Sequence, residues 1–172
     1  MSNTALFVID MLNDFILDDA PLCVPGGAAI IPNIAAEIEK ARSAGIPVIY
    51  LCDSHTRDDP EMETWPLHAI QGTRGAQVVT ELAPATSDTI IPKTRYSGFY
   101  RTDLERRLES LRVEHAILTG VVTEICVLCT AFDLLMRGIG VTVPDGCTAG
   151  LTKEGHRFAL NLIRNVLQPA KE

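Results

Sequence analysis

The sequence predicts an α/β fold: a parallel sheet with helices on both of its faces. Three observations predict it. Short apolar runs, each long enough for one buried strand, recur along the chain. Between them lie stretches whose apolar residues repeat with helical spacing. The two patterns alternate, and strand–helix–strand order within one sheet means parallel strands joined by crossovers. A chain of 172 residues is enough for one domain with a sizeable core and short for two, so residues 1–172 are read as a single domain.

The first strand is read at Ala5–Asp10 (ALFVID). Helical spacing follows at Ile31, Ile34, Ala35, Ile38 and Ala41, and Gly45 is placed to close that helix. Pro47–Cys52 (PVIYLC) reads as the second strand and Ser87–Ile91 (SDTII) as the third. Thr102 and Glu105 form a capping box ahead of a helix with Leu104, Leu108 and Leu111 on one face. Ala116–Gly120 (AILTG) is the fourth strand. Thr123 is placed to cap the next helix, which runs to Arg137 and stops at Gly138. Gly140–Pro144 (GVTVP) is the fifth strand, and Thr152 caps a last helix through Phe158, Ala159, Leu162, Ile163 and Val166.

Composition removes several functional classes. The chain is 47% apolar and 22% charged, which is average for a globular protein and unlike a disordered or coiled-coil chain. No apolar run approaches the roughly 20 residues that span a bilayer, and the opening MSNTALFVID lacks the basic region of a signal peptide. Fifteen basic residues face 22 acidic ones with no Lys/Arg block, for a net charge of −7, which argues against nucleic acid as a partner. The five cysteines (Cys23, Cys52, Cys126, Cys129, Cys147) are an odd, scattered set, expected to be free thiols in a reducing cytoplasm.

In an open parallel sheet, function sits at the carboxyl ends of the strands. Those ends offer Asp10, then Asp53 and His55, then Lys93, then the turn leading to Cys126. Cys126 falls in the first turn of a helix, where the dipole and unpaired N–H groups favour thiolate, and a nearby Lys93 is expected to favour it further. Asp10 is placed to exchange a proton with the thiol and a leaving amine. Asp53 and His55, two apart at a strand end, point the same way. With His68, and with Glu61 between them, they form a mixed N/O set suited to Zn²⁺, Mn²⁺ or Fe²⁺. The competing reading of that segment is a surface loop with two ordinary histidines.

Five ordered segments carry a resemblance: Asp10 within VIDMLNDF, Asp53-Ser54-His55, Trp65-Pro66-Leu67-His68 followed by QGTRGA (71–76), KTRYSGF (93–99), and GVVTEIC (120–126). Over nearly the whole chain the sequence resembles the isochorismatase-like cysteine hydrolases, and within them the nicotinamidases. The resemblance implies a three-layer α/β/α, doubly wound parallel sheet of five to six strands. It implies a catalytic triad of Asp10, Lys93 and Cys126, and a cis peptide bond at Val121–Val122 that helps place the N–H groups of Val122 and Cys126 as an oxyanion hole. It implies one divalent metal ion, zinc first among the choices, on Asp53, His55 and His68. Glu61 is the fourth ligand in the matching subgroup, with Asp58, Asp59 or water as substitutes. Phe15, Trp65, Tyr96 and Val122 inherit contacts to the substrate ring. The implied reaction is hydrolysis of nicotinamide to nicotinate and ammonia through a thioester on Cys126, by a small-molecule enzyme that self-associates. Relatives also add a sixth strand near the end, for which NVLQPA (165–170) is the remnant here.

Three other readings stand beside this one. The substrate is another small amide or an isochorismate-like molecule; Cys126 and Cys129, a C-x-x-C pair, form a thiol redox couple; or the sheet is a nucleotide-binding module. Against the last, DMLNDF at the first strand–helix junction contains no glycine-rich phosphate cradle.

Overall fold

A computed structural model describes residues 3–168. The strands are β1 (Thr4–Ile9), β2 (Val48–Asp53), β3 (Thr89–Lys93), β4 (His115–Val121), β5 (Gly140–Thr142) and β6 (Thr148–Ala149). The α-helices are α1 (Asn13–Ile16), α2 (Ile31–Ser43), α3 (Leu104–Leu111), α4 (Leu128–Met136) and α5 (Lys153–Asn161). All strand pairs are parallel, in the order β3-β2-β1-β4-β5, with β6 beside the end of β4.

The central strands are apolar on both sides because both sides are covered. Leu6 and Val8 of β1 join Tyr50 of β2 and Ile34 and Ile38 of α2 in one buried layer. The alternate residues Ala5, Phe7 and Ile9 join Leu104 and Leu108 of α3 and Ala131 and Leu134 of α4 in the other. Strand alternation thus divides one apolar run between two cores.

Several elements differ from the sequence expectation. β3 continues through Pro92 to Lys93, where the pattern stopped at Ile91. Pro92 is tolerated because β3 is the sheet's edge and pairs only with β2. The Thr102–Glu105 capping box does not form: Asp103 is the N-cap of α3, the Thr102 hydroxyl accepts from the Leu104 N–H (3.2 Å), and Glu105 pairs with Arg137 instead of reaching back. Thr123 does not cap. The chain passes through a π-helical turn, Thr123–Val127, before α4, and the Thr123 hydroxyl pairs with His156 Nδ1 at 2.8 Å. Thr152 does cap α5, accepting from the Gly155 N–H.

Among the described residues, 165–168 of NVLQPA form no strand. The sixth strand is β6, two residues long, while 162–166 form a π-helical turn; Pro169 and Ala170 lie outside the described residues. The exposed edge of β5 is blunted differently. The Gln168 side-chain amide accepts from Val141 N–H (2.8 Å) and donates to Val141 C=O (2.9 Å), as a neighbouring strand would.

Gly120 brings the ends of β1 and β4 together. Its φ is +105°, and a Cβ there would lie 2.0 Å from the Ile9 carbonyl oxygen. The next peptide bond, Val121–Val122, is cis. Gly120→Ala is therefore expected to lower stability by about 3–5 kcal/mol, a fall in melting temperature of roughly 10 °C. A melting curve within two degrees of wild type would contradict that close approach.

Candidate active site

The sheet reverses its order between β1 and β4, with β2 and β3 on one side and β5 on the other. At such a switch point the loops leaving neighbouring strand ends part and open a crevice. Asp10 leaves β1 on one flank and Cys126 lies in the π-helical turn after β4 on the other. In the β2–β3 register, Asp53 stands opposite Lys93, so both reach the crevice at one level. Lys93 shares its face of β3 with the buried Ile91, which directs the ammonium inward.

These four side chains form a buried charge cluster. Lys93 Nζ lies 2.7 Å from Asp10 Oδ2 and 3.6 Å from Cys126 Sγ, and it donates to Asp53 Oδ1. Asp10 adopts a left-handed backbone (φ 51°), which aspartate tolerates better than most residues. Its Oδ1 accepts the Asp53 N–H at 2.8 Å. Lys93 and Asp10 form a buried ion pair through Asp10 Oδ2. The oxygen and sulfur atoms of Asp10, Asp53 and Cys126 lie within 4.8 Å of one another, and the cation among them is the lysine.

Burial, then the neighbouring Asp53 charge, pushes the Asp10 carboxyl up to about 6. Asp53 feels burial too, but Lys93 and His55 outweigh it and hold it below the usual carboxylate range. For Lys93, burial opposes the ammonium, and the two aspartates overcome it, leaving its pKa well above the ordinary value. Cys126 departs from the sequence expectation. Burial pushes the thiol well up, because two carboxylates also face it and Lys93, shared among three partners, does not compensate. The Asp10 carboxylate stands beside the sulfur as a proton acceptor.

A second cluster lies against the first through Asp53. Ligand atoms of Asp53, His55, Glu61 and His68 fall within 4.8 Å of one another, all buried. His68 Nδ1 donates to the Pro66 carbonyl at 2.7 Å, leaving Nε2 as the lone-pair nitrogen. His55 Nε2 and Glu61 Oε2 are buried with no hydrogen-bond partner, a costly state that a cation between them would relieve. Two imidazoles and two carboxylates are a donor set that fits Zn²⁺, Mn²⁺ or Fe²⁺. Neither Asp58 nor Asp59 belongs to this group; the Asp59 carboxylate faces the opposite nitrogen of His55 (3.3 Å).

The crevice over both clusters is a pocket of about 450 Å³, open solvent at its mouth included. Phe15, Trp65, Tyr96 and Val122 all line it. The Phe15 and His68 rings are 5.5 Å apart, and the Trp65 indole N–H donates to the Tyr96 hydroxyl at 3.2 Å. Leu22, Val24, Ile125 and Leu151 complete the wall and were not singled out in the sequence. Leu22, Val24 and Leu151 stand on connections, where no periodicity marks a direction, and Ile125 lies in the π-helical turn after β4. Glu124 could have been noticed as a polar residue two before Cys126. Its Oε1 accepts from Leu151 and Thr152 N–H groups (2.9 and 3.2 Å), which holds Leu151 in place. Cys129 is half-buried and lines a separate groove with Phe132 and Met136. Among the described residues, no arginine or lysine lines the pocket.

Comparison with known proteins bears on what this arrangement does. The isochorismatase domain family model matches residues 4–170. A probable inactive nicotinamidase from Arabidopsis thaliana is 37% identical, over 95% of this chain and 89% of its own. The structure of a pyrazinamidase/nicotinamidase from Streptococcus mutans superposes with a TM-score of 0.91 at 36% identity, covering 95% of this chain and 97% of that one. The pyrazinamidase of Pyrococcus horikoshii in complex with zinc superposes at 0.89 with 32% identity, covering 94% of each chain.

Proposed function

This chain belongs to the isochorismatase family and is an amidohydrolase, and we propose that it hydrolyses nicotinamide to nicotinate and ammonia with Cys126 as nucleophile and one divalent ion on Asp53, His55, Glu61 and His68. One observation carries the reading: a four-ligand cluster of metal type opens beside the thiol into an aromatic pocket that no arginine or lysine lines among the described residues. An anionic substrate such as isochorismate or a ureidoacrylate would find no arginine or lysine in that wall to pair its carboxylate. A neutral aromatic amide needs none.

The chemistry follows from the buried charges. Phe15, Trp65 and Tyr96 pack the ring. Asp53, His55, Glu61 and His68 would hold a divalent ion, which would supply Lewis acidity at the ring end of the pocket. Asp10, with its carboxyl near 6, is close to the pH at which a base both exists and accepts protons effectively. It takes the thiol proton as Sγ attacks the carboxamide carbon. The N–H groups of Val122 and Cys126 hold the oxyanion; one such donor is worth about 10²–10³ in rate. Asp10 returns the proton to the departing nitrogen, ammonia leaves, and a thioester remains. Asp10 then accepts a proton from water, hydroxide adds to the thioester, and collapse releases nicotinate and the thiol, which regains its proton. Lys93 keeps its two aspartates and the sulfur at fixed distances throughout.

The test is ammonia release from nicotinamide, pyrazinamide and an anionic amide, with and without chelator. The two aromatic amides should be turned over and the anionic one refused. Equal turnover of all three would overturn the substrate assignment. His55→Ala and His68→Ala should each lower metal content below about one ion per chain and raise KM for nicotinamide, while the fold is kept. Full metal occupancy in the double variant would remove this site from the reading.

A further inference from the structure

We propose that Asp59, which is not a ligand, is the positioning residue of the metal cluster: one carboxylate fixes both the ring of His55 and the backbone of Glu61, and Arg95 holds that carboxylate. The inference rests on the metal reading above.

His55 Nδ1 lies 3.3 Å from Asp59 Oδ2, and its Nε2 is buried without a hydrogen-bond partner. An imidazole that donates Nδ1–H to a carboxylate presents Nε2 as a lone pair, with its ring orientation fixed and its basicity raised. The other oxygen, Asp59 Oδ1, accepts from the Glu61 N–H at 2.9 Å. That bond caps the short 3₁₀ turn Pro60–Glu63, so it sets the backbone from which the Glu61 carboxylate enters the cluster. Arg95 Nη1 donates to Asp59 Oδ1 at 2.9 Å and lies 3.7 Å from Glu61 Oε2. Two of the four ligands therefore depend on one residue, whereas His68 is set independently by the Pro66 carbonyl. Arg95 directly precedes Tyr96, so the same clamp ties the cluster to the pocket wall.

A carboxylate behind a ligating histidine typically changes metal affinity by about 10–100-fold when it is removed. Asp59→Asn is the sharper variant, because it keeps the side-chain size and an oxygen for the Glu61 N–H. With its amide nitrogen toward His55 it donates where the carboxylate accepted, which drives the ring to carry its proton on Nε2. Asp59→Ala removes both contacts, and Arg95→Met loosens the carboxylate. Affinity for Zn²⁺ and Co²⁺, read by competition with a chromophoric chelator on the full chain, should fall by about 10–100-fold in both Asp59 variants and by less in Arg95→Met. Activity should return towards wild type when metal is added to saturation, and the melting temperature of the metal-free protein should stay near wild type. Wild-type metal affinity in Asp59→Asn and Asp59→Ala would overturn the inference while leaving the metal reading intact. So would an activity loss that added metal does not restore. A wild-type protein that takes up no metal at all would overturn the metal reading and this inference with it.

Discussion

Cys126→Ala is expected to abolish ammonia release from nicotinamide, by about 10⁴-fold or more, as loss of a nucleophile does. The fold should survive. Removing one small buried group costs at most about 1 kcal/mol, and the four metal-type ligands do not include this sulfur. Cys129→Ala is the matched control. Its thiol lies in a groove apart from Asp10 and Lys93, so activity should be largely kept. A thiol redox couple makes the opposite demand, since both sulfurs would be needed equally. Mass spectrometry during turnover should find the acyl adduct on Cys126 alone. Equal inactivity of the two variants, or wild-type hydrolysis by Cys126→Ala, would favour the redox reading.

Lys93→Ala is expected to cost both activity and stability. The ammonium is the cation that faces Asp10, Asp53 and the thiol. Taking one partner out of a buried ionic cluster typically costs about 3–5 kcal/mol, which for a chain of this size is roughly 10 °C in melting temperature. The deficit should depend on pH in a stated direction. Asp10 already has a folded pKa near 6, above the roughly 3.9 of an unfolded aspartate, and the loss of Lys93 raises it further. A carboxyl with a raised folded pKa destabilises above its unfolded pKa and stops doing so as both states become protonated. Asp53, held low by Lys93, loses its partner at every pH above its own titration, and Asp10 adds to the deficit as it ionises, so the gap between variant and wild type should widen as pH rises through 6. Lys93→Arg restores the charge but not the compact point geometry, so it should recover stability better than activity. A gap that stayed constant from pH 4 to 8 would show that Lys93 acts by packing instead.

The sequence made the strand ends legible because buried parallel strands are continuous apolar runs, and polar residues at their ends stand out. Asp10, Asp53 and Lys93 were found this way, and the turn after β4 led to Cys126. What sequence could not supply was direction on irregular backbone. Asp58 and Asp59 are indistinguishable neighbours on paper, yet only Asp59 turns toward His55. Leu22, Val24 and Leu151 are unmarked apolar residues until the fold brings two separate connections over one crevice. The electrostatic setting of the thiol also escaped the sequence. Helix position and a lysine argued for thiolate, but the degree of burial and the second carboxylate, Asp53, are properties of the assembled site. At the chain's end, Gln168 does with its side chain what a sixth strand was expected to do with its backbone, and no residue pattern announces that substitution.

Asp53 belongs to both clusters at once. Its N–H goes to Asp10, one oxygen to Lys93, and the other lies 3.7 Å from His55 Nε2. The part of the protein that grips a ring and the part that moves protons are therefore not modular. Any change in charge on the gripping side is felt, through one residue, by the base and the nucleophile. Effects of substitutions across that boundary will not add, because Asp53 is a shared partner. The two halves of the site are constrained to change together: in this chain, removing Asp53 from the metal cluster also removes a counter-charge that holds Lys93.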